Sequence, residues 1–296
     1  MRLDPETVAA GLGARPLIVL ALLLGIALGC VLALVQVARF SDAHARRVWM
    51  RAALGWKALA SRRPFVSRIT AGLTTREYLA MHLTVGLALS LAAAGAFAAI
   101  ASGLDEDSPI VRVDVALANA LHRAAGEPGI DIARAFTLLG EGWVLVTIGA
   151  VVAITMIVRR RRLLATGWIL ALVGCGILNT VLKSTFHRAR PSFVDPIALA
   201  SGFSFPSGHS MGAVVTAGML AYVGFRVART PPRRLAIVVL AVTWSVAMGF
   251  TRMYLGVHYL SDVIAGFAAG TAWLSVCISG LEIVTHVPGT SGMPRH

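Results

Sequence analysis

Charged residues are scarce in this chain, and acidic residues are the scarcest among them. Only 14% of the 296 residues are charged, with 14 acidic and 27 basic side chains, whereas 57% are hydrophobic. A soluble domain has about a quarter of its residues charged, so the composition excludes an ordinary soluble protein and predicts an integral membrane protein. Aromatic residues contribute only 7%. The apolar residues are therefore mostly small or aliphatic, as in helices that pack closely within a bilayer.

Cysteines are also few, and their spacing excludes a disulfide framework or a zinc cluster. Cys30, Cys175 and Cys277 each lie inside an apolar run. We interpret them as small packing residues within the bilayer. No cluster of metal-ligating residues appears elsewhere in the sequence, so we predict neither a metal nor a cofactor.

Seven apolar runs approach the roughly 20 residues that a transmembrane helix needs. The predicted spans are Pro16–Val37, Leu79–Ala101, Trp143–Val158, Leu163–Leu182, Gly208–Val227, Leu235–Phe250 and Tyr259–Val284. The predicted fold class is therefore an all-α integral membrane protein. The first run also resembles the apolar part of a signal peptide, but its length and the basic segment after it favour a span.

The basic residues are concentrated in three loops, 40–76, 159–162 and 226–234. Loops rich in lysine and arginine stay on the cytoplasmic side of a membrane. Alternation then places Ser102–Gly142, Lys183–Ser207 and Thr251–His258 together on the outer face. We predict a multi-pass protein of a bacterial inner (plasma) membrane, surrounded by membrane lipids. Because no soluble module carries the basic charge, nucleic-acid binding is not predicted; protein partners are left open.

Three regions follow from this topology. Residues 1–78 combine the first span with a basic segment, residues 79–284 form the membrane core, and residues 285–296 form a tail that we predict to be disordered. Within the first region, Ala43–Ser61 fits an interfacial helix, because tryptophan and arginine together suit the headgroup layer. An ordinary basic connector fits that segment equally well.

The outer loops carry three cations, Lys183, Arg190 and Arg252. Each alone fits an interfacial anchor whose side chain reaches the headgroups. Arginine, however, binds phosphate oxygens through two parallel hydrogen bonds. Three cations in one pocket repel one another unless an anion lies between them, so together they predict a site for a phosphate-like anion. Ser207 and Gly208 precede and begin the fifth span, and the N-terminus of a helix binds anions through its free N–H groups.

Two histidines and an aspartate add chemistry to this predicted anion site. His258 and Asp262 are four residues apart, which places them on one face of a helix. A carboxylate that holds one imidazole nitrogen leaves the other nitrogen free to act as a nucleophile. His209 is then available to protonate the leaving group. His187 and Tyr254 lie in the same outer loops and are weaker candidates for the substrate pocket.

The pattern Lys-x6-Arg-Pro, Pro-Ser-Gly-His and Arg-x5-His-x3-Asp resembles the three signature motifs of the phosphatidic acid phosphatase type 2 superfamily. The motifs span residues 183–191, 206–209 and 252–262, and Thr251 stands where the family usually has serine. The resemblance implies a six-helix phosphatase core over residues 79–284, preceded by one additional N-terminal transmembrane helix. It does not extend to residues 1–78.

The same resemblance implies a role for each residue. His258 is the nucleophile that forms a phosphohistidine, Asp262 orients it, and His209 is the general acid. The implied phosphate-binding residues are Lys183, Arg190, Arg252, Ser207 and Gly208. The predicted reaction is metal-independent dephosphorylation of a membrane lipid phosphate or pyrophosphate at the periplasmic face.

Several alternatives remain open at this point. A lipid phosphotransferase would use the same residues with another lipid as acceptor, and a haloperoxidase would use the pocket for vanadate. A non-catalytic lipid-binding or transport protein would not need a nucleophile, an orienting acid and a proton donor together. Candidate substrates are undecaprenyl pyrophosphate, phosphatidylglycerophosphate, phosphatidate and lipid A phosphates, and a fold does not choose among them.

Overall fold

The described part of the chain, residues 4–32 and 64–286 of a computed structural model, consists of helices and their connections, without strands. The all-α prediction is therefore confirmed. In chain order the helices are α1 (Pro5–Gly13), α2 (Pro16–Leu32), α3 (Pro64–Ala101), α4 (Pro109–Ala124), α5 (Glu127–Leu138), α6 (Gly142–Val158), α7 (Arg162–Phe186), α8 (Gly208–Val227), α9 (Pro231–Tyr254) and α10 (Leu260–His286). The predicted interfacial helix at 43–61 and the predicted disordered tail lie outside the described residues.

Five helices are long and apolar enough to cross a membrane without a break: α7, α8, α9, α10 and the part of α3 from His82 to Ala101. Two further spans are bent, α1 with α2 by 110° and α5 with α6 by 45°. Counting each bent pair as one span gives seven, the predicted number. The helices extend past the predicted apolar runs, most clearly in α3 and α9, because polar residues continue a helix into the headgroup layer where hydropathy no longer marks it.

The N-terminal pair α1 and α2 packs on α4. Ala9 of α1 and Val19 of α2 are buried in one cluster with Leu117 of α4. A Cβ atom at Gly13 would lie only 2.6 Å from the Cβ of Ala120, so glycine is needed for this close approach. The N-terminal helices, which the motifs do not cover, therefore pack on the element that borders the site from outside.

Close packing of α8 on α10 positions the second and third motifs. A Cβ atom at Gly266 would lie 2.6 Å from the carbonyl oxygen of Ser207, and one at Gly270 would lie 2.9 Å from that of Met211. Small residues four apart allow two membrane helices to approach in this way. The Ser207 N–H also donates a hydrogen bond to the backbone carbonyl of Asp262 at 3.0 Å. The N-terminus of α8 is thus held against the start of α10.

Candidate active site

A cavity of about 1100 Å³ lies between α6, α7, the N-terminal part of α8 and the C-terminal end of α9. Its polar end is lined by residues that the sequence predicted to converge, and they come from all three motifs. These residues are Lys183, Arg190, Gly208, His209, Arg252 and His258. Its other end is an apolar groove between α6 and α7. The convergence expected from topology alone is therefore found in the structure.

His258 and Asp262 are in contact as predicted, although His258 lies in the turn before α10, which begins at Leu260, so the two residues do not share a helical face. The Nδ1 atom of His258 lies 3.4 Å from Oδ2 of Asp262, and its Nε2 atom lies 3.2 Å from a terminal nitrogen of Arg190. The same Oδ2 accepts a hydrogen bond from the Tyr259 N–H at 2.9 Å. Burial lowers the pKa of His258 to about 4, although the Asp262 carboxylate acts in the opposite direction. The imidazole is thus neutral at pH 7, the state that the predicted nucleophilic role requires.

Two of the three cations are held by backbone carbonyls. The guanidinium of Arg190 donates to the carbonyl oxygens of Ser201, Gly202 and Phe203 in the loop before α8 and to that of Val257, at distances from 2.7 to 3.2 Å. The Lys183 ammonium donates to the carbonyl of Phe203. These contacts fix the positions of both cations, and no carboxylate oxygen of the described residues lies within 4.0 Å of either charged group.

The third cation, Arg252, is only 7% exposed. One of its terminal nitrogens donates to the hydroxyl of Thr137 at 2.8 Å. The Nε of Arg252 and the Nε2 of His209 are both buried and have no hydrogen-bond partner among the described residues. Because both side chains line the cavity, an anion there can satisfy them, which agrees with a phosphate site.

The first two residues at the start of α8 have different places in the site: Ser207 caps the helix, and Gly208 lines the cavity. Ser207 is fully buried, and its hydroxyl caps the helix by accepting from the Ser210 N–H at 3.4 Å. The cavity wall includes Gly208 but not Ser207. A Cβ atom at Gly208 would lie 2.9 Å from the Asn179 side-chain oxygen, so glycine suits this tight position. The free N–H groups of the first turn are those that bind anions at helix N-termini.

The two weaker candidates lie away from the cavity wall. His187 caps the C-terminus of α7 in a left-handed conformation with φ 48°, and its ring lies edge-to-face with that of Phe203, with the ring centroids 4.5 Å apart. The Tyr254 hydroxyl accepts a hydrogen bond from the Gly126 N–H at 3.2 Å, and its ring packs on Phe250. Tyr254 follows Arg252 by two residues on a helix, which directs the two side chains to nearly opposite sides. The structure thus gives both residues packing contacts instead of a place in the pocket.

Four residues near the site did not emerge from the motifs. Arg188 joins Asp262 to Asp114 of α4 through ion pairs of 2.7 and 2.8 Å. Asp114 had one signal in the sequence, since it interrupts the apolar face that α4 presents through Leu117. Thr137 holds Arg252 as described above. The carboxylate of Glu141, in a turn between two glycines, lies 3.5 Å from Nε2 of His209.

Residues 162–283 match the PAP2 superfamily. Phosphatidylglycerophosphatase B from Bacillus subtilis is 33% identical to the chain over 143 residues, which make up 47% of this chain and 69% of that protein. The chain belongs to the PAP2 superfamily. Lipid A 1-phosphatase from Rhizobium johnstonii is 39% identical over 112 residues, 34% of this chain and 41% of that relative. The chain therefore spans less than half of the second relative's length.

A crystal structure of a transmembrane PAP2-type phosphatidylglycerolphosphate phosphatase from Bacillus subtilis matches with a TM-score of 0.58 at 27% identity. The match covers 64% of this chain and 94% of that one. The superfamily inferred from the motifs and the membrane fold are thus confirmed. The relatives are named as phosphatases of lipid phosphates, and with them the predicted enzyme class, a phosphatase, is confirmed.

Proposed function

We propose that this PAP2 protein removes phosphate from a membrane lipid phosphate or diphosphate through a phosphohistidine at His258, at the periplasmic face of a bacterial inner membrane. One observation carries the proposal: a single cavity joins a cationic end, which contains His258, to an apolar groove. A water-soluble phosphate ester has no use for such a groove, whereas a lipid phosphate needs both ends.

The groove has the length and the opening that a lipid chain requires. Its wall follows α6 from Leu145 to Ile157, a distance of about 18 Å at the helical rise per residue. Val146 and Ile154 line the groove and yet are 72% and 59% exposed, so its side faces the bilayer. A lipid can therefore slide in from the membrane with its chain in apolar surroundings throughout and its phosphate at the polar end.

The geometry supports a double displacement. Nε2 of His258 attacks phosphorus, the N–P bond forms, and the P–O bond to the lipid breaks while His209 gives its proton to the leaving oxygen. Asp262 stabilises the imidazolium that forms. Water, deprotonated by His209, then attacks the phosphohistidine, the N–P bond breaks and inorganic phosphate leaves. The three cations and the α8 N-terminus stabilise the equatorial oxygens in both steps.

The periplasmic orientation rests on the two ends of α6. The polar end of the cavity lies beside Glu141 at the start of this helix, and four consecutive arginines, 159–162, follow its other end. Arginine clusters of this kind remain cytoplasmic. The opposite end, which contains the site, then faces the exterior.

The test is phosphate release by the detergent-purified full chain from a panel of lipid monophosphates and diphosphates, in the presence of EDTA. We expect release that His258→Ala abolishes, and an acid-labile phosphoprotein after rapid quenching of the wild type with ³²P-labelled lipid. Equal release by a folded His258→Ala protein would contradict the nucleophile. Transfer of label to an added acceptor lipid, in place of release, would support the phosphotransferase instead.

A further inference from the structure

A continuous network of buried charges lies behind the His258–Asp262 pair. Arg188 belongs to the same loop as the cavity cation Arg190, yet its guanidinium does not line the cavity. One terminal nitrogen donates to Oδ1 of Asp262 at 2.7 Å, and the other donates to Oδ2 of Asp114 at 2.8 Å. The Arg188 side chain is 11% exposed, and those of Asp262 and Asp114 are 0% and 2% exposed.

Asp114 is fully occupied by this network although its helix α4 carries none of the three motifs. Its Oδ1 accepts from the Ser261 N–H at 3.0 Å, and its Oδ2 accepts from the Ser261 hydroxyl and from Arg188. Burial raises the pKa of Asp114, while the hydrogen bonds from Ser261 and Arg188 act in the opposite direction. Buried carboxylates are costly and persist where partners hold them, so this group invites a functional explanation.

We propose that Arg188 and Asp114 are positioning residues for the nucleophile; this inference rests on the function proposed above. The two oxygens of Asp262 have separate tasks. Oδ2 contacts His258 Nδ1 and the Tyr259 N–H, whereas Oδ1 contacts Arg188. The terminal torsion of an aspartate is broad, so a carboxylate held at one oxygen alone can rotate. Arg188 fixes the plane of Asp262 and, through it, the direction of the His258 ring.

Asp114 completes the arrangement by fixing Arg188. A guanidinium is a planar fork, and here its two terminal nitrogens bind carboxylates from α10 and α4. Arg188 also lies 4.5 Å over the ring of Tyr259. The arginine therefore has one orientation, defined from three sides, and it cannot swing toward the phosphate-binding cations in the cavity.

The position of Asp262 matters most when the phosphohistidine forms. As Nε2 of His258 bonds to phosphorus, the ring becomes cationic with its proton on Nδ1, and the Asp262 carboxylate beside it stabilises that charge. Arg188 and Asp114 hold this carboxylate in place. Loss of either residue is expected to slow the chemical step by misplacing Asp262, without weakening the cavity cations that bind the substrate.

The experiment compares Arg188→Gln, Arg188→Lys and Asp114→Asn in the purified full chain, with steady-state turnover of the preferred lipid phosphate. We expect kcat to fall about 10- to 100-fold for Arg188→Gln, as for residues that orient a catalytic ligand, with KM unchanged. Arg188→Lys keeps the charge and is expected to restore part of kcat. Arg112→Gln is the matched control, since Arg112 lies on the exposed side of α4 in an ion pair with Glu6.

A double-mutant cycle separates positioning from simple anchoring of α4. If Asp114 acts through Arg188, Asp114→Asn lowers kcat in the wild type but has no further effect in the Arg188→Gln background. Additive losses, an unchanged kcat, or a rise in KM alone would overturn the proposal. If Arg188→Gln does not fold, the kcat of Asp114→Asn tests the proposal, because this variant leaves the Arg188–Asp262 ion pair intact; an unchanged kcat would then overturn it. His258→Ala tests the proposed function separately, so the two ideas can fail independently.

Discussion

Replacement of Gly266 by alanine tests whether the position of the α8 N-terminus controls catalysis. The added Cβ atom would lie 2.6 Å from the carbonyl oxygen of Ser207 and 2.9 Å from Cβ of Ser210. Ordinary contacts of this kind begin at 3.4 Å. One close neighbour is backbone, which cannot rotate away as a flexible side chain can, so the two helices must separate.

The required separation is at least about 0.8 Å, and the α8 N-terminus carries His209 and the turn that we propose to bind phosphate. A misplacement of about 1 Å can cost an enzyme about a hundredfold in rate. We therefore expect kcat/KM of Gly266→Ala to fall about 30- to 100-fold. Overpacking of this size also destabilises a fold by about 1–3 kcal/mol, so a modest decrease in thermal stability is expected as well.

Gly280→Ala is the matched control, because Gly280 lies on the same helix α10 and none of the described neighbours comes within 4 Å of the place where its Cβ atom would lie. Alanine favours a helix over glycine by about 1 kcal/mol, so this variant is expected to be active and at least as stable. Both proteins are assayed for lipid phosphate turnover and thermal unfolding in the same detergent. Full activity of Gly266→Ala would refute the idea that this contact sets the geometry of the site.

Three further predictions concern the cavity. Glu141→Gln is expected to raise the preference for a lipid diphosphate over a monophosphate at least about threefold, since it removes a negative charge beside His209, the proposed leaving-group acid. An unchanged ratio of the two turnover rates would contradict this. The pKa of His258 is lowered to about 4, so its imidazole becomes protonated, and unable to attack, only as pH falls through 4. Phosphohistidine formation is measured with an aryl phosphate, whose leaving group needs no proton, and is expected to persist at pH 5 and to be lost below pH 4. A midpoint near the ordinary value of about 6.5 would contradict that pKa. Gly176→Leu projects into the groove and is expected to slow long-chain lipids about tenfold, by loss of apolar contact, but not short soluble esters. Gly95→Leu, on α3 away from the cavity, is its control.

Much of the site could be predicted because topology restricts where the motifs lie. Lys183, His209 and Arg252 lie at the ends of α7, α8 and α9 that positive-inside alternation places on one face of the membrane, and all three line the cavity. The contact between His258 and Asp262 was also predicted, from i and i+4 spacing on a helix, although His258 lies in the turn that precedes α10. These predictions depend on periodicity and loop charge, which a single sequence contains.

Other features depend on tertiary contacts that no local pattern encodes. A serine at this position can bind phosphate or cap the helix, and the sequence does not distinguish the two. The packing of α8 against α10 buries Ser207, so that its hydroxyl caps α8 and does not line the cavity. Asp114 and Arg188 are 74 residues apart in sequence, so their ion pair forms only because α4 packs against the loop that follows α7. The bend between α5 and α6, which brings Glu141 to His209, is similarly a product of packing.

The two arginines of the first motif loop show what separates binding from positioning. Arg188 has two carboxylate partners, so its charge is compensated before any substrate arrives. Arg190, Lys183 and Arg252 are held only by carbonyl and hydroxyl oxygens and by an imidazole, and within residues 4–32 and 64–286 none has a carboxylate within 4.0 Å. Dipoles fix a cation in place without cancelling its charge. We therefore expect a phosphate anion to bind at these three residues and not at Arg188, although Arg188 and Arg190 are only two positions apart in the loop.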